Sequence, residues 1–217
     1  YKSDGTQVAA NQPRFEQGKF GKAIMLEEGT TNNVPNGNFS NGTTGWYTGS
    51  SQYYDVMQVI QDSEKGPVLK VHGKSDAIGA WNGLRRDTTP TEFETTAKYI
   101  VASVDVKTDS DYQVIDIVNT VLFFHHWVYT VEEGWAKYRD VGLGLPSGAN
   151  NWQRLVFVVD MPATRNGYTV TKHKIISVNP RTFRGTMYRT NIQIEYRNAP
   201  YATSFIDSTR AEETPTI

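Results

Sequence analysis

Tyr99-Ile100-Val101-Ala102-Ser103-Val104-Asp105-Val106-Lys107 changes character from one residue to the next. In an extended chain Ile100, Ala102, Val104 and Val106 share one face, and Ser103, Asp105 and Lys107 share the other. A period of two predicts a strand with one face in a core and one in water, as in an antiparallel sheet. Outward from this strand, residues 55–61 and 67–72 read as strands joined by a hairpin loop at 62–66. Residues 78–84 read as another. Residues 88–94 read as a loop with room for one helical turn, because Pro90 suits a first helical position. Residues 112–131 are too long for one strand, and 118–120 mark a bend or bulge. The second half, 121–129, is large on both faces; such a strand is either central in a sandwich or presents one face to a ligand. Residues 135–142 pair back with it, and 143–150 form a loop. Residues 152–160, 167–178 and 186–196 complete the set. In the last, Tyr188, Ile192, Ile194 and Tyr196 face one way, and Gln193 and Glu195 the other. About ten strands without an amphipathic helix predict an all-β sandwich of two antiparallel sheets, and the jelly-roll kind fits the length.

The domain entrance is Asn32-Asn33-Val34-Pro35-Asn36-Gly37-Asn38-Phe39-Ser40-Asn41-Gly42-Thr43-Thr44-Gly45-Trp46. Pro35, Asn36 and Gly37 turn the chain, a short strand carries Phe39, and a second Gly-rich turn delivers Trp46. Phe39 is expected in the core and Trp46 closing one end. Residues 1–33 are sparse in periodic apolar residues. There 11–22 are turn-like and 23–26 form the strand candidate, so this part reads as an N-terminal connector arm that cannot bury a core alone. Residues 34–197 are the domain, and 198–217 a second connector. A chain running from Tyr1 to Ile217 without an initiating Met reads as a fragment of a larger protein.

Composition narrows the function. The net charge of -1, with no run of one sign, argues against a nucleic-acid surface. The absence of Cys excludes disulfides, thiolate metal sites and Cys nucleophiles. No stretch is long and apolar enough to span a bilayer. The 12 Tyr and 5 Trp offer flat apolar faces with polar edges, suited to stacking on sugar rings. β-Proteins also use rings heavily for packing, so each ring alone fits either role. Candidate platforms are Trp46, Tyr53, Tyr54, Trp81, Trp127, Tyr129 and Trp135. We favour Trp81, with Asn82, Arg85 and Arg86 beside it, then Trp127 and Tyr129, sharing a strand face with Phe123 and His125, and Trp135. His125 and His126 are neighbours on a strand and point to opposite faces, so they do not share a metal ion. His72 and His173 lie far off in sequence. Glu27-Glu28 and Glu132-Glu133 are acidic pairs, but nothing places either pair across a cleft at glycosidase spacing. No nucleophile elbow, phosphate loop or His-Glu-x-x-His helix is present, so a non-catalytic role is expected.

Asn36-Gly37-Asn38-Phe39-Ser40 with Gly45-Trp46 resembles the opening motif of carbohydrate-binding modules of families four, nine and twenty-two. Trp152-Gln153-Arg154-Leu155-Val156-Phe157 is similar to a strand start of the same group, and Ile192-Gln193-Ile194-Glu195 to its closing strand. The flanks, Pro13 to Ala23, Glu27 to Asn32 and Pro200 to Asp207, resemble connectors in tail and minor structural proteins of phages of Gram-positive bacteria. The resemblance implies a galactose-binding-like jelly roll without catalysis. It implies recognition of host cell-wall polysaccharide from a virion tail, beside other tail subunits, with homo-oligomerisation left open. Assembly would be in the host cytoplasm and action outside the cell. Two alternatives stay open: a structural spacer of a virion fibre, and an accessory module of a secreted glycan-degrading enzyme. The family's structural calcium near the entrance has fewer ligands here. Ser40 replaces a Glu and the exit lacks a paired Asp, which leaves Asn36 and Asn38 as candidate calcium ligands.

Overall fold

In the computed structural model, the described residues are 15–18, 21–24, 30–48, 54–74, 84–85, 97–114, 122–143, 150–179, 183–207 and 209–210. Every regular element among them is a β-strand, and every pairing is antiparallel. Eight long strands carry the fold: β1 (Tyr54–Asp62), β2 (Gly66–Gly73), β3 (Tyr99–Thr108), β4 (Leu122–Thr130), β5 (Gly134–Leu143), β6 (Gln153–Asp160), β7 (Lys172–Asn179) and β8 (Phe183–Arg197). A large sheet has the order β6-β3-β8-β2-β1 and a small sheet the order β5-β4-β7. The chain is an all-β sandwich of jelly-roll type, the class its alternating strands predict. The expected strands at 55–61, 67–72, 135–142 and 152–160 are present with ends shifted by a residue or two.

The hairpins follow from their turn residues. Asp62 Oδ1 accepts the amides of Glu64 (2.9 Å) and Lys65 (3.1 Å), and Gly66 closes the β1–β2 turn at φ +72°. Between β4 and β5, Thr130 Oγ1 accepts the Glu133 amide at 3.1 Å and Gly134 takes φ +68°. A left-handed residue costs glycine nothing, which is why each turn ends on one.

The core lies on one face of the large sheet. Ile100, Ala102, Val104 and Val106 of β3 pack with Leu69, Val71, Met187, Ile192 and Ile194. Each large apolar side chain buried there contributes about 1.5–3 kcal/mol. Phe39 and Trp46 both belong to this core, with ring centroids 5.1 Å apart, and Trp46 Nε1 donates to the Asn36 carbonyl at 3.1 Å. Trp46 is therefore packed into the core with Phe39. Phe39 sits at φ +55° within a run of turns, not on a strand. Gly37 passes so close to β8 that a Cβ would lie 2.1 Å from the Ile192 carbonyl oxygen, while Ile192 donates its amide to Gly37 O at 3.0 Å. Only glycine fits there.

Four expectations need correction. The second face of β3 is not wet: Val101, Ser103 and Asp105 are buried along with the core face. Arg154 of β6 bonds Asp105 and Ser103 and Asn191 of β8 bonds Asp105, so a polar residue on an alternating strand there marks a satisfied hydrogen bond rather than solvent. In β8, Asn191 adopts φ +52° and the pairing with β3 slips between Thr190 and Gln193. The slip puts Tyr188 on the face opposite Ile192 and Ile194, since a one-residue insertion reverses every later side chain. Residues 167–178 do not form one strand. Thr164–Arg165 and Tyr168–Thr169 make a separate hairpin through Asn166 and Gly167, at φ +52° and +86°, before β7 begins. Finally, the turn-like 11–22 includes Phe15–Gly18, paired with Gly21–Ile24. The expected features at 78–83, 88–94, 118–120 and 144–149 lie outside the described residues.

Candidate functional site

The small sheet gathers the aromatic residues. Tyr129 on β4 is in register with Trp135 on β5, and Trp127 with Lys137; across the other edge Trp127 meets Lys174 and Tyr129 meets Lys172 on β7. Paired residues of an antiparallel ladder share a face. Trp127, Tyr129, Trp135, Lys137, Lys172 and Lys174 thus form one patch, half-buried except for the exposed Lys137. Tyr129 and Trp135 meet edge to face at 5.5 Å. Lys174 Nζ stands 3.9 Å from the Trp135 centroid and 5.8 Å from that of Trp127, and Lys172 Nζ stands 5.7 Å from that of Tyr129. These are cation–π contacts, in which the ring face attracts the ammonium. His125, half-buried, continues the face beyond Trp127, opposite Asp140.

The turn beside the patch is braced. Glu133 accepts from Asn166 Nδ2 at 2.9 Å and pairs with Arg165. The Asn166 amide and the Arg165 guanidinium hold the Glu133 carboxyl below the usual carboxylate range.

Of the residues favoured from the sequence as a binding face, the structure brings Trp127, Tyr129 and Trp135 together, with His125 next along the same face. Trp81 and Asn82 lie outside the described residues, and Arg85 is placed by its backbone alone, paired with Tyr47. The lysines were missed because β7 is distant in sequence. The available signal was Lys172-His173-Lys174, two cations one residue apart and so on one strand face. A second ring cluster also escaped notice: on the large sheet Lys107 stands 5.0 Å from the Trp152 ring centroid and 4.9 Å from that of Tyr188. Its charges are internally matched, with Lys107 Nζ bonded to Asp62 Oδ2 and the Tyr188 hydroxyl donating to Asp109 Oδ2, both at 2.9 Å. Burial and then the Asp109 bond push the Tyr188 hydroxyl up to about 12.

The opposite face of the small sheet holds His126, Val128 and Thr130, all buried. His126 and His125 do point to opposite faces. His173, remote in sequence, comes next to His126 in space, with Nε2 and Nδ1 3.1 Å apart. Burial, then the charges of His173 and Arg139, push His126 down to about 3; burial pushes His173 down to about 4. His173 also borders a cavity of about 360 Å³ lined by Lys98, Tyr99, Asp160 and Met161.

The entrance does not fit a calcium ion. Asn36 Oδ1 accepts the Asn41 amide at 3.0 Å, its carbonyl accepts Trp46 Nε1 at 3.1 Å, and Asn38 Oδ1 accepts the Ser40 amide at 3.1 Å. These oxygens are committed to the turn, whereas calcium needs six to eight oxygens free to converge. Among the described residues no group of three or more His, Asp or Glu side chains is placed to hold a metal.

No protein-family model matches the chain, and no curated protein does. Among solved structures it is similar to the Stig cyclase FisC of Fischerella sp. TAU, at 11% identity and TM-score 0.49 over 77% of this chain and 98% of that one. It is also similar to the C-terminal family 22 carbohydrate-binding module of Clostridium thermocellum Xyn10B, at 15% and 0.38 over 78% and 100%. A third is a family 28 carbohydrate-binding module specific for non-crystalline cellulose, at 10% and 0.38 over 82% and 100%.

Proposed function

We propose that the chain is a non-catalytic carbohydrate-binding domain that takes a glycan across Trp127, Tyr129 and Trp135. The observation that carries this reading is the convergence of three rings from two strands on one half-exposed sheet face. Sugar rings stack their C–H faces on such aromatics, and a rigid sheet presents them at little entropic cost. The resemblance of the entrance motif to carbohydrate-binding modules supports the same reading. The connector resemblance supports a setting in a phage tail, with host cell-wall polysaccharide as the ligand and other tail subunits as neighbours.

The test is binding of the chain to purified Gram-positive cell walls and their polysaccharides, by pull-down and calorimetry. Trp127→Ala should weaken binding by about 1–3 kcal/mol, the usual cost of losing an aromatic anchor. If Trp127→Ala, Tyr129→Ala and Trp135→Ala all bind as the parent does, this face is not the site. If the parent binds no glycan, the structural-spacer alternative replaces the proposal.

A further inference from the structure

We infer that the glycan taken by this face is anionic, a polysaccharide bearing phosphate or carboxylate groups. The inference rests on the small-sheet patch being the glycan site. Its starting point is Lys174, held between Trp135 and Trp127 with no carboxylate paired to it among the described residues. A ring quadrupole attracts an ammonium but does not neutralise it, so Lys174 keeps its whole charge. Lys172 and Lys137 stand on the same patch, but each has a further partner of its own, so the charge open to a ligand is that of Lys174. Glu133 at the neighbouring turn is engaged by Arg165 and Asn166.

The large sheet is mixed: Lys70 stands 5.7 Å from the Tyr188 ring centroid with no carboxylate paired to it among the described residues, but the other lysines are matched. Lys107 on β3 pairs with Asp62 at 2.9 Å, Lys65 in the β1–β2 turn with Asp105 at 3.4 Å and Lys74 just beyond β2 with Asp55 at 3.9 Å. The chain as a whole carries a net charge of -1, so an unmatched lysine between two rings is not a consequence of composition. Placement matters as well. Lys174 lies over one face of Trp135, and a neutral sugar stacking there would displace the ammonium without giving it a new partner. An anionic substituent beside the sugar ring draws the ammonium aside and pairs with it, so ring and cation serve one ligand together. Such charge-assisted contacts are stronger than neutral ones.

The experiment measures binding of the full chain to four polymers: a neutral xylan, a polygalacturonate, a poly(glycerol phosphate) and, as a polyanion without sugar, polyglutamate. The expected result is binding to the polygalacturonate or the poly(glycerol phosphate), which separates carboxylate from phosphate as the source of charge. That binding should weaken as salt rises, fall about tenfold in Lys174→Gln, and fall in Trp127→Ala. Binding to xylan that is indifferent to salt and to Lys174→Gln, yet lost in Trp127→Ala, overturns the anionic inference and leaves the glycan site standing. Equal binding to polyglutamate, insensitive to Trp127→Ala, overturns both, as does failure to bind any of the four.

Discussion

His126 and His173 show how folding sets the chemistry of a residue. Both titrate near 6.5 in an unfolded chain, while the folded values are about 3 and about 4. The folded protein therefore keeps both rings neutral where the unfolded chain takes up protons. Stability is full above about pH 6.5 and is lost as pH falls from there toward the folded values, because protons then favour the unfolded state. Each ring removes on the order of 1 kcal/mol per pH unit across that window. The carboxylates act lower. Partial burial pushes Asp62 upward, but the Lys107 bond and the amides of Glu64 and Lys65 hold it net below 3.8, so its contribution is lost only in stronger acid. Calorimetry should show the melting temperature falling between about pH 7 and about pH 4.5, and a flatter fall in His126→Gln and His173→Gln. An unchanged slope in the double variant would sink the assignment. Nothing in the sequence announced this pair. The alternation rule separates His125 from His126, but only the register of β4 with β7 places His173 beside His126.

At the scale of the strand, β8 organises the large sheet and its bulge decides which side chains go where. Asn191 holds the bulge at φ +52° and donates Nδ2 to Asp105 Oδ2 at 2.8 Å. Asp105 also accepts from Arg154 Nη1 at 3.0 Å, and Arg154 Nη2 reaches Ser103 Oγ at 2.8 Å. Asn191→Gly should cost about 1.5–3 kcal/mol, the bond to the buried Asp105 carboxylate alone, because glycine accepts a positive φ. Asn191→Val should cost about 1–2 kcal/mol more, the penalty of a left-handed L-residue. Chemical denaturation would measure both, and equal values would mean that the bulge does not depend on this residue. The pattern 100–107 was enough to place β3 and its core face. The bulge was not legible, since Asn191 and Ile192 fit an unbroken alternation as well as a broken one. The aromatic patch was half legible: spacing puts Trp127 and Tyr129 on one face, while the lysines that join them come from a strand the sequence ran together with a separate hairpin.

At the scale of the molecule, the segments entering and leaving the sandwich are built into it. Asn32 Nδ2 donates to the carbonyls of Ile192 (3.2 Å) and Ile206 (3.0 Å), and Ile206 gives its amide to Gln193 Oε1 at 2.8 Å. Thr203 bonds both carboxylate oxygens of Glu195, at 3.1 and 2.7 Å, and Arg197 Nη1 reaches Glu195 Oε1 at 3.2 Å, all buried. Glu195→Ala leaves Arg197 buried without its carboxylate and should cost about 3–5 kcal/mol. In a chain ended after Arg197 the same substitution should cost far less, because water then reaches the guanidinium. A double-mutant cycle in thermal unfolding checks this, and equal costs in the two backgrounds would mean that the exit segment does not shield the pair. A turn-rich, irregular sequence conceals such a role, because its contacts are made by side chains to a distant strand rather than by a ladder of its own.

Thr30–Thr31 and Thr209–Arg210 lie side by side and antiparallel, Thr31 opposite Thr209 and Thr30 opposite Arg210. A pull on the two flanking segments therefore loads this short ladder in peeling, one rung at a time, and only after it opens does the load reach the Asn32 and Ile206 bonds to β8. While its two rungs hold, they carry the tension across from one flank to the other, and the sandwich between them is not stretched.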